Sequence, residues 1–370
     1  MKKICFTAIG LATLGFVSCE KENLTVKENL TATKVQVETG SASLESVLSV
    51  DYDKENDNYY VVGVNGGAID VFYGEHKSWS KLQENRDIDN RYTPDQFVDF
   101  ALGAEPGEAM FGVAVGNKDG QGTSINAREF SGKPYFGDGR PEQIGSLESV
   151  LSIDYDADNN QYVVVGVANG KIDVYIGEHK NWTKLQENRD IDNRFSPSKF
   201  VDFALGGVGP KFGVAIGNDP SYKVGFRKYE ARAVSINCRE FYNKPWFGDG
   251  KPRAIGTLVR AFSVEYDAIN DNYYVVGEGP NGDIDVWFGT HNNWTQLQEN
   301  RDIDNRFSPT EFVDFAFGGT ETKFGVAIGN DPDFQTGFRQ NAPRGVSINC
   351  REFSNKAWFG DGKPEAIEGE

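Results

Sequence analysis

The decapeptide Leu82-Gln-Glu-Asn-Arg-Asp-Ile-Asp-Asn-Arg91 recurs without change at 185–194 and at 297–306. It carries Arg86, Asp87 and Asp89 in the first copy, Arg189, Asp190 and Asp192 in the second, and Arg301, Asp302 and Asp304 in the third. A guanidinium fork matches carboxylates and sugar hydroxyls, while carboxylates accept hydrogen bonds around it. These residues are therefore the first candidates for ligand binding. The same groups could instead satisfy one another and cap junctions in the fold, and the spacing alone leaves both readings open.

A second set of candidates lies where the copies differ. Copies two and three carry extra residues between Asn218 and Val234 and between Asn330 and Val346, and copy one does not. These insertions hold Tyr222, Phe226, Phe334 and Phe338, with Arg227, Arg232, Arg339 and Arg344 nearby. Aromatics beside arginines on a variable loop are suited to stacking on sugar rings. All three histidines, His76, His179 and His291, occupy one position of the repeat. They are expected far apart, each packed beside a Trp, and no metal site is expected of them. The turns Asp51–Asn58 and Asp267–Asn272 are rich in oxygen ligands for Ca²⁺ but lack the spacing of a full calcium loop. Asx-rich hairpin turns account for them without metal. No cofactor is expected.

Catalysis requires an asymmetric set of nucleophile or base, orienting partner and stabiliser. Here nearly every polar group of interest exists in triplicate, and no catalytic residues can be named.

Around the decapeptides the chain aligns with itself as three copies, 44–146, 147–257 and 258–364. Each copy divides into halves with four short apolar runs, bounded by Gly, Asn, Asp and Pro, at the spacing of antiparallel strands. In copy two these include Tyr162-Val-Val-Val-Val-Gly166, Ile172-Asp-Val-Tyr-Ile-Gly177, Phe200-Val-Asp-Phe-Ala-Leu-Gly206 and Phe212-Gly-Val-Ala-Ile-Gly217. Ser196-Pro-Ser-Lys-Phe200 carries helix-start residues, but the alternation that follows favours a strand.

The segment Tyr162-Val-Val-Val-Val-Gly166, Gly170-Lys-Ile172 and Gly177-Glu-His-Lys-Asn-Trp-Thr183 resembles a blade of sialidase-type, Asp-box-like propellers. It departs from the Asp box itself, since Glu178 and His179 occupy the turn. The resemblance implies an all-β fold, a six-bladed β-propeller over 44–370, with the decapeptides on a ligand-docking face. A sheet of four strands cannot bury both faces alone, and packing blades around an axis solves that problem. The alternative is three tandem β-rich domains of roughly 105 residues. In a ring, Cys238 and Cys350 fall in equivalent strands two blades apart, too distant for a disulfide. Lys34–Glu38 is a candidate for the strand that closes the ring.

Lys plus Arg total 38 against 55 Asp plus Glu, a net charge of −17 that disfavours nucleic acid as a partner. Met1-Lys-Lys3 followed by the apolar run Ile4–Val17 is too short to span a bilayer and reads as a signal peptide, residues 1–18. Its end, Phe16-Val-Ser-Cys19, resembles the lipobox of bacterial lipoproteins, which implies acylation of Cys19. Residues 19–43 then form a polar stalk. The expected protein is a monomeric outer-membrane lipoprotein, periplasmic or surface-facing, that binds a glycan or protein ligand. A sialidase-like glycoside hydrolase and an assembly scaffold are the alternatives.

Overall fold

The computed structural model describes residues 42–103, 111–207, 212–223, 229–319, 324–335 and 342–369, with backbone alone at Asp138, Tyr229, Asp249 and Asp361. The Gly- and Asx-bounded runs pair antiparallel in sequence order into six four-stranded sheets. Blade 1 is Ser46–Asp53, Asn58–Asn65, Ala68–Glu75 and Ser78–Lys81. Blade 2 is Phe97–Leu102, Gly112–Lys118, Gln121–Glu129 and Pro134–Gln143. Blade 3 is Ser149–Asp156, Gln161–Ala168, Lys171–Glu178 and Asn181–Lys184. Blade 4 is Phe200–Leu205, Gly213–Lys223, Tyr229–Glu240 and Pro245–Ala254. Blade 5 is Arg260–Asp267, Asn272–Glu278, Ile284–Thr290 and Asn293–Gln296. Blade 6 is Phe312–Phe317, Gly325–Asp331, Arg344–Glu352 and Ala357–Ala366.

Burial decides how these sheets associate. Six apolar layers lie between blades, one at each junction of neighbours. Blades 3 and 4, for example, share Val165, Val174, Phe203 and Phe247. Blades 2 and 3 share Val113, Val115, Val150 and Val164. Blades 6 and 1 share Val326, Ile328, Val50 and Val61. Tandem domains would leave the second and third of these layers exposed to water. The chain is a six-bladed β-propeller.

Ring closure repeats the bonding of the covalent junctions. Between blades 2 and 3, Gly122 N donates to Leu147 O at 2.9 Å, Ile144 N to Gly122 O at 2.9 Å and Leu147 N to Ile144 O at 3.0 Å. Between blades 6 and 1, Gly345 N donates to Leu44 O, Ile367 N to Gly345 O and Leu44 N to Ile367 O, at 2.9, 2.9 and 3.0 Å. The same three bonds form although no peptide link joins Ile367 to Leu44. Ala42–Ser43 pairs with Glu368–Gly369 just outside them. The closing strand expected at Lys34–Glu38 lies outside the described residues.

Local chemistry shapes the elements. Ser196 O accepts from Lys199 N and Phe200 N, so the Ser-Pro segment makes one turn before the strand Phe200–Leu205 begins. Gly177 has φ 137°, and a Cβ there would lie 2.2 Å from Asn181 O, which permits only glycine. Cys238 and Cys350 are buried and are not joined in a disulfide, as their separation in the ring requires.

Candidate functional site

Each inner strand has a register shift, between Val47 and Ser49, Phe97 and Asp99, Val150 and Ser152, Phe200 and Asp202, Ala261 and Ser263, and Phe312 and Asp314. A bulge re-aims the side chain that follows it. Here the bulged residues meet those of neighbouring blades. Ser49 Oγ donates to Asp99 Oδ1 at 2.7 Å, Ser152 Oγ to Asp202 Oδ1 at 2.8 Å and Ser263 Oγ to Asp314 Oδ1 at 2.8 Å. On its other side each hydroxyl stands 3.3–3.4 Å from the carboxylate of the preceding even blade, which completes a Ser–Asp belt. Backbone amides reinforce it, with Ile153 N on Asp99 and Val264 N on Asp202.

Asp51, Asp154 and Glu265 lie two residues beyond the serines. Leu102 N and Leu205 N donate to Asp51 and Asp154 at 2.6 Å. Burial drives these acids toward their neutral forms. Asp51 and Asp99 are pushed up to about 7 and Asp202 to about 6, with the Asp202 charge adding to the shift at Asp99. Asp154, Glu265 and Asp314 are raised well above the ordinary carboxylate range by burial and by other acids of this set. Sequence reading missed the belt. Its signal was an Asp at one fixed place in three otherwise apolar Phe-Val-Asp-Phe-Ala runs.

The decapeptide follows the outer strand of each odd blade and runs beside the outer strand of the next. Phe247 N donates to Arg189 O at 2.9 Å. Arg91, Arg194 and Arg306 donate through Nη2 to Gly137 O, Gly248 O and Gly360 O, the last two at 2.8 Å. These three arginines fasten the segment to the blade. Asp87, Asp190 and Asp302 are only 2, 2 and 3 % exposed, and in each Oδ1 has no hydrogen-bond partner. Burial, with the neighbouring carboxyls of Asp70, Asp173 and Asp285, pushes them up to about 9, 8 and 9. Lys81 pairs with Asp70 at 2.8 Å and Lys184 with Asp173 at 2.7 Å. The third copy has Gln296 there, donating to Asp285. Asp89 and Asp304 accept from Asn90 and Asn305, while Asp192 Oδ1 is buried without a partner.

Arg86, Arg189 and Arg301 behave differently. Each is half-buried and donates through Nη1, at 3.0 Å, to the carbonyl of Phe130, Phe241 or Phe353. Each guanidinium also lies over that ring, 4.6, 4.8 and 4.8 Å from its centroid. The rings are exposed, Phe130 by 61 %, Phe241 by 45 % and Phe353 by 54 %. The structure thus gives each arginine an aromatic partner at the protein surface. Sequence reading overlooked these phenylalanines, although each ends an Arg-Glu-Phe repeated in all three copies.

The other candidates are dispersed. Tyr222 and Phe334 turn against the apolar layers beneath them, whereas Phe226 and Phe338 lie outside the described residues. The insertion in blade 4 lengthens its middle hairpin. The histidines are inter-blade pins. Ser347, Ser124 and Ser235 Oγ stand 3.1 Å from His76, His179 and His291 Nδ1, and each accepts from Trp79, Trp182 or Trp294 Nε1. In the Asx turns, Asp53 and Asp267 accept from the backbone and side chain of Asn56 and Asn270. No cluster of three metal-ligating side chains occurs among the described residues. A cavity of about 340 Å³ lies between Tyr52, Tyr266, Ile269 and Phe317. Gly318, Gly319 and Phe324 also line it.

No protein-family model matches the chain, and no curated protein matches it. Solved structures do. SapL1 lectin in complex with α-methyl fucoside superposes with a TM-score of 0.51 at 10 % identity, over 86 % of this chain and 95 % of that one. The six-bladed fungal lectin of Aleuria aurantia gives 0.49 at 12 % identity, over 89 % and 99 %. A PQQ-bound aldose sugar dehydrogenase from Streptomyces coelicolor gives 0.47 at 10 % identity, over 82 % and 94 %. At 10 % identity the likeness to SapL1 lectin is one of fold alone.

Proposed function

We propose that the chain is a lipid-anchored cell-envelope propeller, built from three two-blade repeats, that binds glycans without transforming them. The observation that carries this reading is the exposed phenylalanine under a half-buried arginine, present once in each repeat. Aromatic faces take up the apolar C–H face of a sugar ring, and guanidinium donors take its hydroxyls. SapL1 lectin, which shares the fold, is solved in complex with α-methyl fucoside, and a sugar ligand for this chain is in keeping with that. Arg86, Arg189 and Arg301 are the ligand-facing members of the decapeptides. The neighbouring aspartates Asp87, Asp190 and Asp302 are sealed away from solvent, at 2–3 % exposure. The same burial removes those aspartates from use as general acids on a bound substrate.

A glycan array probed with residues 20–370 tests the reading. Binding is expected, and replacing Arg86, Arg189 and Arg301 together by Ala should abolish it. An array without hits would overturn the proposal, as would binding indifferent to the triple replacement. The anchor has its own test. Labelled palmitate should enter the full-length protein in a bacterial host and be lost in Cys19→Ala, with release from the outer-membrane fraction.

A further inference from the structure

The three platforms are not equal, and their turns show how. In each even blade a two-residue loop joins the third strand to the outer strand. Phe130 N bonds Lys133 O at 2.8 Å, Phe241 N bonds Lys244 O at 2.9 Å and Phe353 N bonds Lys356 O at 2.9 Å. Both loop residues have positive φ, at 55° and 70° for Ser131–Gly132, 53° and 57° for Tyr242–Asn243, and 55° and 59° for Ser354–Asn355. Such a turn favours Asn, Asp and Gly, and a small polar residue fits it far better than a bulky ring. Copy two nevertheless places tyrosine at its first position.

That tyrosine gains nothing from burial. Tyr242 is 78 % exposed, more than any other large hydrophobic side chain among the described residues. Its ring meets Phe241 edge-on at 4.5 Å and 71°, and Phe241 meets Trp246 at 6.1 Å. Arg189 covers Phe241, spends Nη1 on the Phe241 carbonyl, and its other donors have no partner among the described residues. Glu240 Oε1 accepts from Asn243 N at 2.9 Å, which leaves Oε2 as a further acceptor at the surface. A strained backbone carrying an exposed ring, next to free donors and an acceptor, is the kind of outlier that marks a recognition site.

We infer that the blade-4 platform, Tyr242, Phe241, Arg189 and Glu240, is the principal of the three sites and takes a neutral pyranose saccharide. The sugar stacks its C–H face on the Tyr242–Phe241 ledge and shares its hydroxyls between Arg189 and Glu240. Neutral sugars are favoured because Glu240 borders the ledge and the chain carries a net charge of −17. This inference rests on the glycan-binding reading above and adds to it the residue that ranks the sites.

Saturation-transfer NMR on residues 20–370, with a mixture of neutral methyl pyranosides at millimolar concentration, gives the readout. Tyr242→Ser installs the residue of the two sister turns, so folding is retained and the melting temperature should hold or rise. Saccharide transfer should nevertheless fall by tenfold or more. Ser354→Tyr should conversely raise it. If the wild type binds, Arg189→Ala weakens binding and Tyr242→Ser leaves it unchanged, the ranking is wrong and the general reading survives. If the wild type gives no transfer from any pyranoside, both fail.

Discussion

Ser152 Oγ stands 2.8 Å from Asp202 Oδ1, and this bond ties the inner strand of blade 3 to that of blade 4. With its counterparts at Ser49 and Ser263 it forms a polar belt inside a fold otherwise held by apolar layers. Removing one donor from a largely desolvated carboxylate costs about 1–3 kcal/mol. Ser152→Ala should therefore lower the urea midpoint by that equivalent with an unchanged m-value. An unaltered midpoint would show that the belt does not stabilise the ring.

The belt and its flanking acids also predict the pH dependence of stability. Burial pushes Asp51 and Asp99 up to about 7 and Asp202 to about 6 in the folded chain, against 3.8 for an ordinary aspartate. Between those limits the folded state holds more protons than the unfolded state, so stability falls as pH rises. Asp87, Asp190 and Asp302 extend the window to about 9. The melting temperature should be higher at pH 5.5 than at pH 8.5, and Asp51→Asn should flatten the difference. A protein more stable at pH 8.5 would refute these assignments.

Asp190 is nearly sealed and titrates near 8, so at pH 7 it is mostly the neutral acid. Asp190→Asn replaces one neutral group by another of similar shape and should change stability by less than about 1 kcal/mol. Asp190→Lys places a charge in the same space and should prevent folding at that junction. Circular dichroism melts of the two variants check the pair. Severe destabilisation by Asn would mean that Asp190 is ionised in the folded state.

Cys238 and Cys350 fill positions equivalent to Ala127 in blade 2, where the smaller side chain is fully buried. The site therefore tolerates alanine, and Cys238→Ala should cost about 1 kcal/mol or less. Both thiols should react with a maleimide only after denaturation, even under oxidising conditions. A disulfide found by mass spectrometry would contradict the ring.

The sequence by itself determined the elements and their number. Alternating apolar runs such as Tyr162–Gly166, punctuated by Gly and Asx, specify strands locally, because each depends on its own pleat and turns. The internal repeat then fixes that blades recur and that Cys238 and Cys350 stand apart. Which decapeptide groups face solvent was decided by the tertiary structure. Asp87 and Arg86 are neighbours in sequence, yet packing against the next blade's outer strand buries the first and lays the second over Phe130. The pairing within the Ser–Asp belt was equally hidden, since the Asp of each Phe-Val-Asp-Phe-Ala run meets a serine some 50 residues away in the chain. Periodicity reports which side of a strand a residue occupies. Only closure of the ring determines which residue of another blade it meets there.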